Sequence, residues 1–457
     1  MPPTRWRRCA DTAEPGGAGC RPRTMLTSSH SVAHRLPPEA RRCDPGGGPR
    51  DRTAQDRTLP AGRRLLPGPA HRPSRRFGAG GLAGQLGRQP GLPVGPDLGN
   101  TTIRQFVRLS AGGRQLRIRF SNETGTRPLV IGAARIALPG PAPGSVDPGG
   151  GLALTFGGAT SITVPPGQPA VSDPVALQVS ALQTLAVSLY LPQPTGPAVI
   201  HKDGEQTAFL SAGGNSTAAA TLPAATRSTM RFFLSGVEVT AAGGTVVALG
   251  DSITDGARSG TDADRRWPDI LAERLVQAGG PAIGVVNAGI SGNRLLHDDR
   301  GTAYGPSALS RFDRDVLAVP GVRWVVVLEG INDIGHSGTS DRTDRAATAD
   351  QITAGLQQVV ARARRHGLKA ICATLTPFEG TGLGGYYTPR GEAKRQAVNA
   401  WIRSGGGCDG TVDFDAVLRD PARPSRLKPE FDSGDHLHPS AAGYRAMAAA
   451  VDLGLFR

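Results

Sequence analysis

Four short apolar runs in the second half of the chain, TVVALG, IGVVNAG, RWVVVLEG and KAICATLTP, show no alternation of polar and apolar side chains. Runs of this kind suit strands covered on both faces. Around them lie WPDILAERLVQAG, ATADQITAGLQQVVARARRHG, EAKRQAVNAWIRSG and SAAGYRAMAAAVDLGLF, whose apolar residues recur at helical spacing. Doubly buried strands alternating with amphipathic helices leave few choices, and the pattern predicts an α/β domain with helices on both faces of a parallel sheet. The segment GTVDFDAV supplies a fifth strand. In such a sheet the reactive side chains belong at the carboxyl ends of the strands.

The preceding stretch has the other periodicity. In GGRQLRIRFSN, Leu116, Ile118 and Phe120 alternate with Arg117 and Arg119, and in LAVSLYLP the residues Leu185, Val187, Leu189 and Leu191 share one face. Period-two alternation broken by Gly, Pro, Asn and Ser predicts antiparallel strands with one wet side. Residues 99–238 therefore read as a β-sandwich of jelly-roll-like type, and residues 239–457 as the α/β domain. Residues 1–98 read as a disordered tail. The first hundred residues hold 17 Arg, no Lys, 7 acidic residues and few β-branched or aromatic side chains, too little apolar surface to offset the entropy of ordering. A misplaced start or a frame slip in GC-rich DNA would also produce such text, as would a basic arm; the 48 Arg against 4 Lys in the whole chain fit the first.

Charge and composition exclude several classes. The formal charge is +14, but the first hundred residues carry +10 of it, so the folded part gives little reason to expect a nucleic-acid partner. Aromatic residues make up only 5%, too few for base-stacking platforms. No stretch approaches the ~20 uninterrupted apolar residues of a membrane-spanning helix, so no membrane insertion is expected. Five cysteines in 457 residues do not make a disulfide framework. Cys372 and Cys408, flanking successive strands, fit a pair or two free buried thiols equally well.

The strand ends hold the chemistry. The first runs into Gly250-Asp251-Ser252-Ile253-Thr254-Asp255-Gly256, the second into Asn287-Ala288-Gly289-Ile290-Ser291-Gly292-Asn293, and the third into Gly330-Ile331-Asn332-Asp333. Taken singly, each is an ordinary βα turn, and a loop serine is usually a cap. Together they put a hydroxyl beside glycine N–H groups and an asparagine amide, the donors an oxyanion requires. Before the last helix stands Asp435-His436-Leu437-His438-Pro439, in which one loop can supply a histidine and the carboxylate that orients it. The two histidines could instead ligate a metal, but further ligands are missing, so no metal and no cofactor is expected, and His436 reads as structural.

GDSIT, NAGISGN, GIND and DHLHP, in this order, resemble the SGNH (GDSL) hydrolases, and the resemblance covers residues 240–457. The fuller text is similar to a bacterial branch of acetylxylan-esterase-like enzymes that often carry a β-rich domain ahead of the hydrolase. The resemblance implies a flavodoxin-like three-layer α/β/α fold with Ser252 as nucleophile, His438 as base and Asp435 as its orienter. It also implies an oxyanion hole formed by the N–H groups of Ser252 and Gly292 and the amide of Asn332. The family's usual GDSL reads GDSI here. The implied activity is hydrolysis of short-chain, acetyl-like esters, on small molecules or polysaccharides, in a secreted protein. A lipid-ester hydrolase and a non-catalytic carbohydrate-binding protein are the alternatives.

Overall fold

The computed structural model describes residues 82–83 and 95–457, apart from 150, 242, 300–303 and 337–346. Most of the expected tail lies outside the described residues. Within it, Leu82–Ala83 pairs antiparallel with Thr101–Leu109, and Leu98 is buried with its N–H donating to Thr195 Oγ1 at 3.1 Å.

Among the described residues 95–239 form strands without helices. One antiparallel sheet runs Thr226–Ser228, Ala208–Ala212, Thr101–Leu109, Thr184–Leu191, Ala133–Ala137, Leu152–Ala153; a second is centred on Gly113–Ser121 and Leu234–Val239. Leu116, Ile118 and Phe120 are fully buried and meet Val187, Leu189 and Ile103 of the first sheet in one apolar cluster. The expected wet side is missing along Thr101–Leu109, which is buried at seven of nine positions. Arg104 is the reason. It lies on that face and holds the covering loops through its guanidinium, which donates to Gly144 O at 3.1 Å, Ala219 O at 2.6 Å and Ala220 O at 3.0 Å. Five N–H donors on a planar fork let one cation satisfy several carbonyls at once.

The α/β region contains strands β1 (Thr245–Gly250), β2 (Gly284–Gly289), β3 (Val322–Leu328), β4 (Lys369–Ala373) and β5 (Gly410–Val412), all parallel, in the order β2-β1-β3-β4-β5. This is the flavodoxin-like order, and β1 and β2 are buried at every position, as unbroken apolar runs require. The helices are α1 (Ser252–Asp255), α2 (Trp267–Gln277), α3 (Ala308–Phe312), α4 (Ile331–Gly335), α5 (Ala349–Arg365), α6 (Pro389–Arg403), α7 (Phe414–Leu418) and α8 (Ala441–Ala450). α2 packs on α8, and α5 packs on α6 and β4. α5 starts with a capping box: Gln351 N donates to Thr348 Oγ1 at 3.1 Å while Thr348 N donates to Gln351 Oε1 at 2.9 Å.

GTVDFDAV is a strand for three residues only. Asp413 accepts from Ala416 N at 3.0 Å and caps α7, so the second half of that segment turns helical. Cys372 at the end of β4 and Cys408 just before β5 form a disulfide, with Cα atoms 6.0 Å apart.

Candidate active site

The register of the sheet brings three sequence motifs to one edge. Gly250, the last residue of β1, lies opposite Gly289 of β2 and Leu328 of β3. The chain therefore leaves three adjacent strands at one level, and Ser252, Gly292 and Asn332 follow within a few residues of those exits.

Ser252 opens α1. Asp251 caps this turn, its carboxylate accepting from Ile253 N at 2.9 Å. As the first helical residue, Ser252 keeps a backbone N–H without an intrahelical acceptor. The turn presses on β2: a Cβ on Gly289 would lie 2.2 Å from Asp255 N, so only glycine fits there.

The DHLH segment explains its own spacing. Asp435 Oδ1 accepts from Leu437 N at 3.1 Å and from His438 N at 2.8 Å, which curls the chain until the His438 imidazole reaches the other carboxylate oxygen. His438 Nδ1 and Asp435 Oδ2 are 2.8 Å apart, and His438 Nε2 lies 2.8 Å from Ser252 Oγ. With the proton on Nδ1, that nitrogen donates to Asp435 while Nε2 accepts from the serine hydroxyl. Burial pushes the Asp435 carboxyl up, but the hydrogen bonds from the His438 side chain and from backbone N–H groups outweigh it and hold the group well below the usual carboxylate range. It therefore remains an anion against the imidazole. Exposed Arg258 also donates to Asp435 Oδ2, at 3.3 Å. His436 is turned elsewhere, its Nδ1 2.5 Å from Asp432 Oδ2.

Asn332 sits in the first turn of α4. Its Oδ1 accepts from Tyr386 OH at 2.7 Å and its Nδ2 donates to Asn293 O at 2.8 Å, which fixes the amide's orientation and leaves a second N–H on Nδ2. Gly292 has φ +77°, and a Cβ there would lie 2.1 Å from the Tyr304 ring. Both the backbone and the space require glycine.

Two residues that sequence reading missed hold these pieces together. Arg311 in α3 is fully buried and donates to Ala288 O at 2.6 Å, Gly250 O at 2.9 Å and Asn293 Oδ1 at 2.9 Å, with Glu329 at 3.2 Å. One guanidinium thus ties the ends of β1 and β2 to the segment after β3. The other is Tyr386, in a GGYYT stretch with no local pattern to mark it. Burial raises the carboxyls behind these strand ends, Asp251 to about 7 and Asp333 to about 6, with Glu329 well above its ordinary value. Among the described residues no group of three or more His, Cys, Asp or Glu is placed to hold a metal ion.

A hydroxyl joined to an imidazole that a carboxylate holds is the arrangement that activates a serine toward carbonyl carbon. Residues 248–446 match the model of the GDSL-like lipase/acylhydrolase family. Among solved structures, the chain is similar to an acetyl xylan esterase from Geobacillus stearothermophilus, with 25% identity over 46% of this chain and 93% of that one and a TM-score of 0.35. A carbohydrate acetylesterase family member from Sinorhizobium meliloti is 19% identical over 45% of this chain and 94% of its own, with a TM-score of 0.36. The native aryl esterase of M. smegmatis is 17% identical over 45% and 95%, with a TM-score of 0.35. No curated protein matches the sequence. Residues 248–446 thus carry a GDSL-like lipase/acylhydrolase domain, the domain of an ester-bond hydrolase.

Proposed function

We propose that the protein is a serine esterase that removes short acyl groups, acetyl above all, from carbohydrate. The observation that carries the mechanism is the continuous line Ser252 Oγ, His438, Asp435, each link 2.8 Å long. His438 Nε2 takes the hydroxyl proton as Ser252 Oγ bonds to the ester carbonyl carbon. The resulting oxyanion is held by the N–H groups of Ser252 and Gly292 and the remaining N–H of Asn332 Nδ2. Collapse expels the alcohol, which receives its proton from His438, and leaves an acyl-serine. Water then attacks this intermediate with His438 again as base, releasing the acid and restoring the hydroxyl.

Two facing sheets that share a core support reading residues 99–238 as an accessory β-sandwich, with 239–457 as the hydrolase domain. The Cys372–Cys408 disulfide supports action in an oxidising compartment, as expected of a secreted protein. No helix of the described residues is long and apolar enough to cross a membrane.

The test is p-nitrophenyl acetate turnover by the wild type beside Ser252→Ala, followed by acetylated xylan and p-nitrophenyl esters of longer chain. Activity that vanishes in the variant and falls as the acyl chain lengthens is expected. Undiminished turnover by Ser252→Ala would exclude the nucleophile, and preference for long acyl chains would transfer the assignment to lipid esters.

A further inference from the structure

The β-rich region sends one ionisable side chain to the turn that bears Ser252. His201, in the short strand Ile200–His201, is 3% exposed, and its Nε2 lies 2.8 Å from Oδ1 of Asp255, which is 1% exposed. Asp255 is the last residue of α1, three positions after Ser252. Its other oxygen accepts from Ser291 N at 3.2 Å and from Ser291 Oγ at 3.0 Å. Ser291 immediately precedes Gly292, so this carboxylate clamps the peptide that leads into the Gly292 N–H. His201 Nδ1 is buried without a hydrogen-bond partner, and the ring's Nε2–H donates to Asp255, whose carboxylate accepts.

The contact continues along the segment that follows the serine. Thr207 N donates to Asp262 Oδ1 at 2.6 Å, Gln206 Nε2 donates to Asp264 Oδ1 at 2.9 Å, and an Arg266 guanidinium N–H donates to Gly204 O at 2.8 Å. Residues 201–207 thus grip residues 255–266, and His201 is the contact nearest the serine turn. From this we infer that His201 is a positioning residue for ester hydrolysis. Acting through Asp255 and Ser291, it holds the Gly292 N–H where the oxyanion forms, which makes the β-rich region part of the active site. The inference rests on the oxyanion role proposed above for Gly292. Without His201, one oxygen of a buried carboxylate loses its donor, and the carboxylate is free to rotate away from Ser291.

The test measures p-nitrophenyl acetate kinetics and thermal unfolding on the full chain. It compares the wild type with His201→Ala, His201→Gln, Ser291→Ala and the His201→Ala/Ser291→Ala double variant, with Ser252→Ala as control. His201→Ala is expected to lower kcat about tenfold or more while KM moves less than about threefold, since a misplaced donor weakens the transition state more than substrate binding. His201→Gln, whose amide can still donate to Asp255, should recover part of the loss. The double variant should fall little below the worse single variant, because both break one chain of contacts. Wild-type kcat in folded His201→Ala, or losses that simply add in the double variant, would overturn the role. If His201→Ala does not fold, Asp255→Asn serves instead, and an unchanged kcat there also overturns it. Turnover surviving in Ser252→Ala would overturn the esterase mechanism itself, and this role with it.

Discussion

The Asn332 amide has one acceptor oxygen and two N–H groups, and only one orientation leaves an N–H for the proposed oxyanion. The Tyr386 hydroxyl selects it by donating to Oδ1, which obliges Nδ2 to face Asn293 O and the site. The two residues should therefore differ in a graded way. Asn332→Ala removes a donor and should lower kcat by about 10²–10³. Tyr386→Phe only frees the amide to rotate and should lower kcat by roughly tenfold with KM little changed, which steady-state kinetics on p-nitrophenyl acetate will read. Equal losses would mean that Tyr386 does more than orient the amide. At this scale the Asp435–His438 contact could be read from the sequence, because three-residue spacing and backbone N–H groups are local matters. Tyr386 could not, since its partner lies 54 residues away and nothing near it in sequence refers to Asn332.

Among the elements, the strands were readable where their environment was uniform. β1 to β4 are covered on both faces and show it as continuous apolar text, whereas β5 stops after three residues because Asp413 caps a helical turn. The outer face of Thr101–Leu109 departs from the general expectation of one wet side for a similar reason: its cover consists of loops far along the chain, held by Arg104. The disulfide bears on the β4–β5 unit. It closes a loop of 36 residues that contains α6. By restricting the unfolded chain it should contribute about 4 kcal/mol. Cys372→Ala/Cys408→Ala should therefore unfold at a lower temperature than the wild type under non-reducing conditions. Reductant should lower the midpoint of the wild type alone, and a midpoint unmoved by the double substitution would show that the link adds nothing to stability.

At the level of the whole molecule, folding sequesters carboxyls that water would keep ionised. Burial lifts Asp251 to about 7 and both Asp269 and Asp333 to about 6, and it holds Glu329 well above its ordinary value. Free carboxyls titrate near ~4, so between about pH 4 and 7 the native state binds more protons than the unfolded chain, and these groups make stability fall as pH rises. Asp435, depressed, acts in the opposite sense, adding stability that is lost on acidification below about pH 4. The unfolding midpoint should be higher at pH 5 than at pH 8, and Asp251→Asn, which keeps an acceptor for Ile253 N, should narrow that gap. An unchanged gap in the variant would remove Asp251 from this account.

Sequence by itself determined what depends on near neighbours: the buried parallel strands, the main helices, the glycines at strand exits and the Asp435–His438 turn. Only the tertiary structure decided that Ser252 and His438, 186 positions apart, meet at 2.8 Å. It also decided that Arg311 ties together the ends of β1 and β2, and that a histidine from the β-rich region reaches Asp255. The reason is physical. Periodicity and turn chemistry record each residue's own surroundings along the chain, whereas hydrogen bonds between distant segments depend on strand order and register, which the chain acquires only on folding.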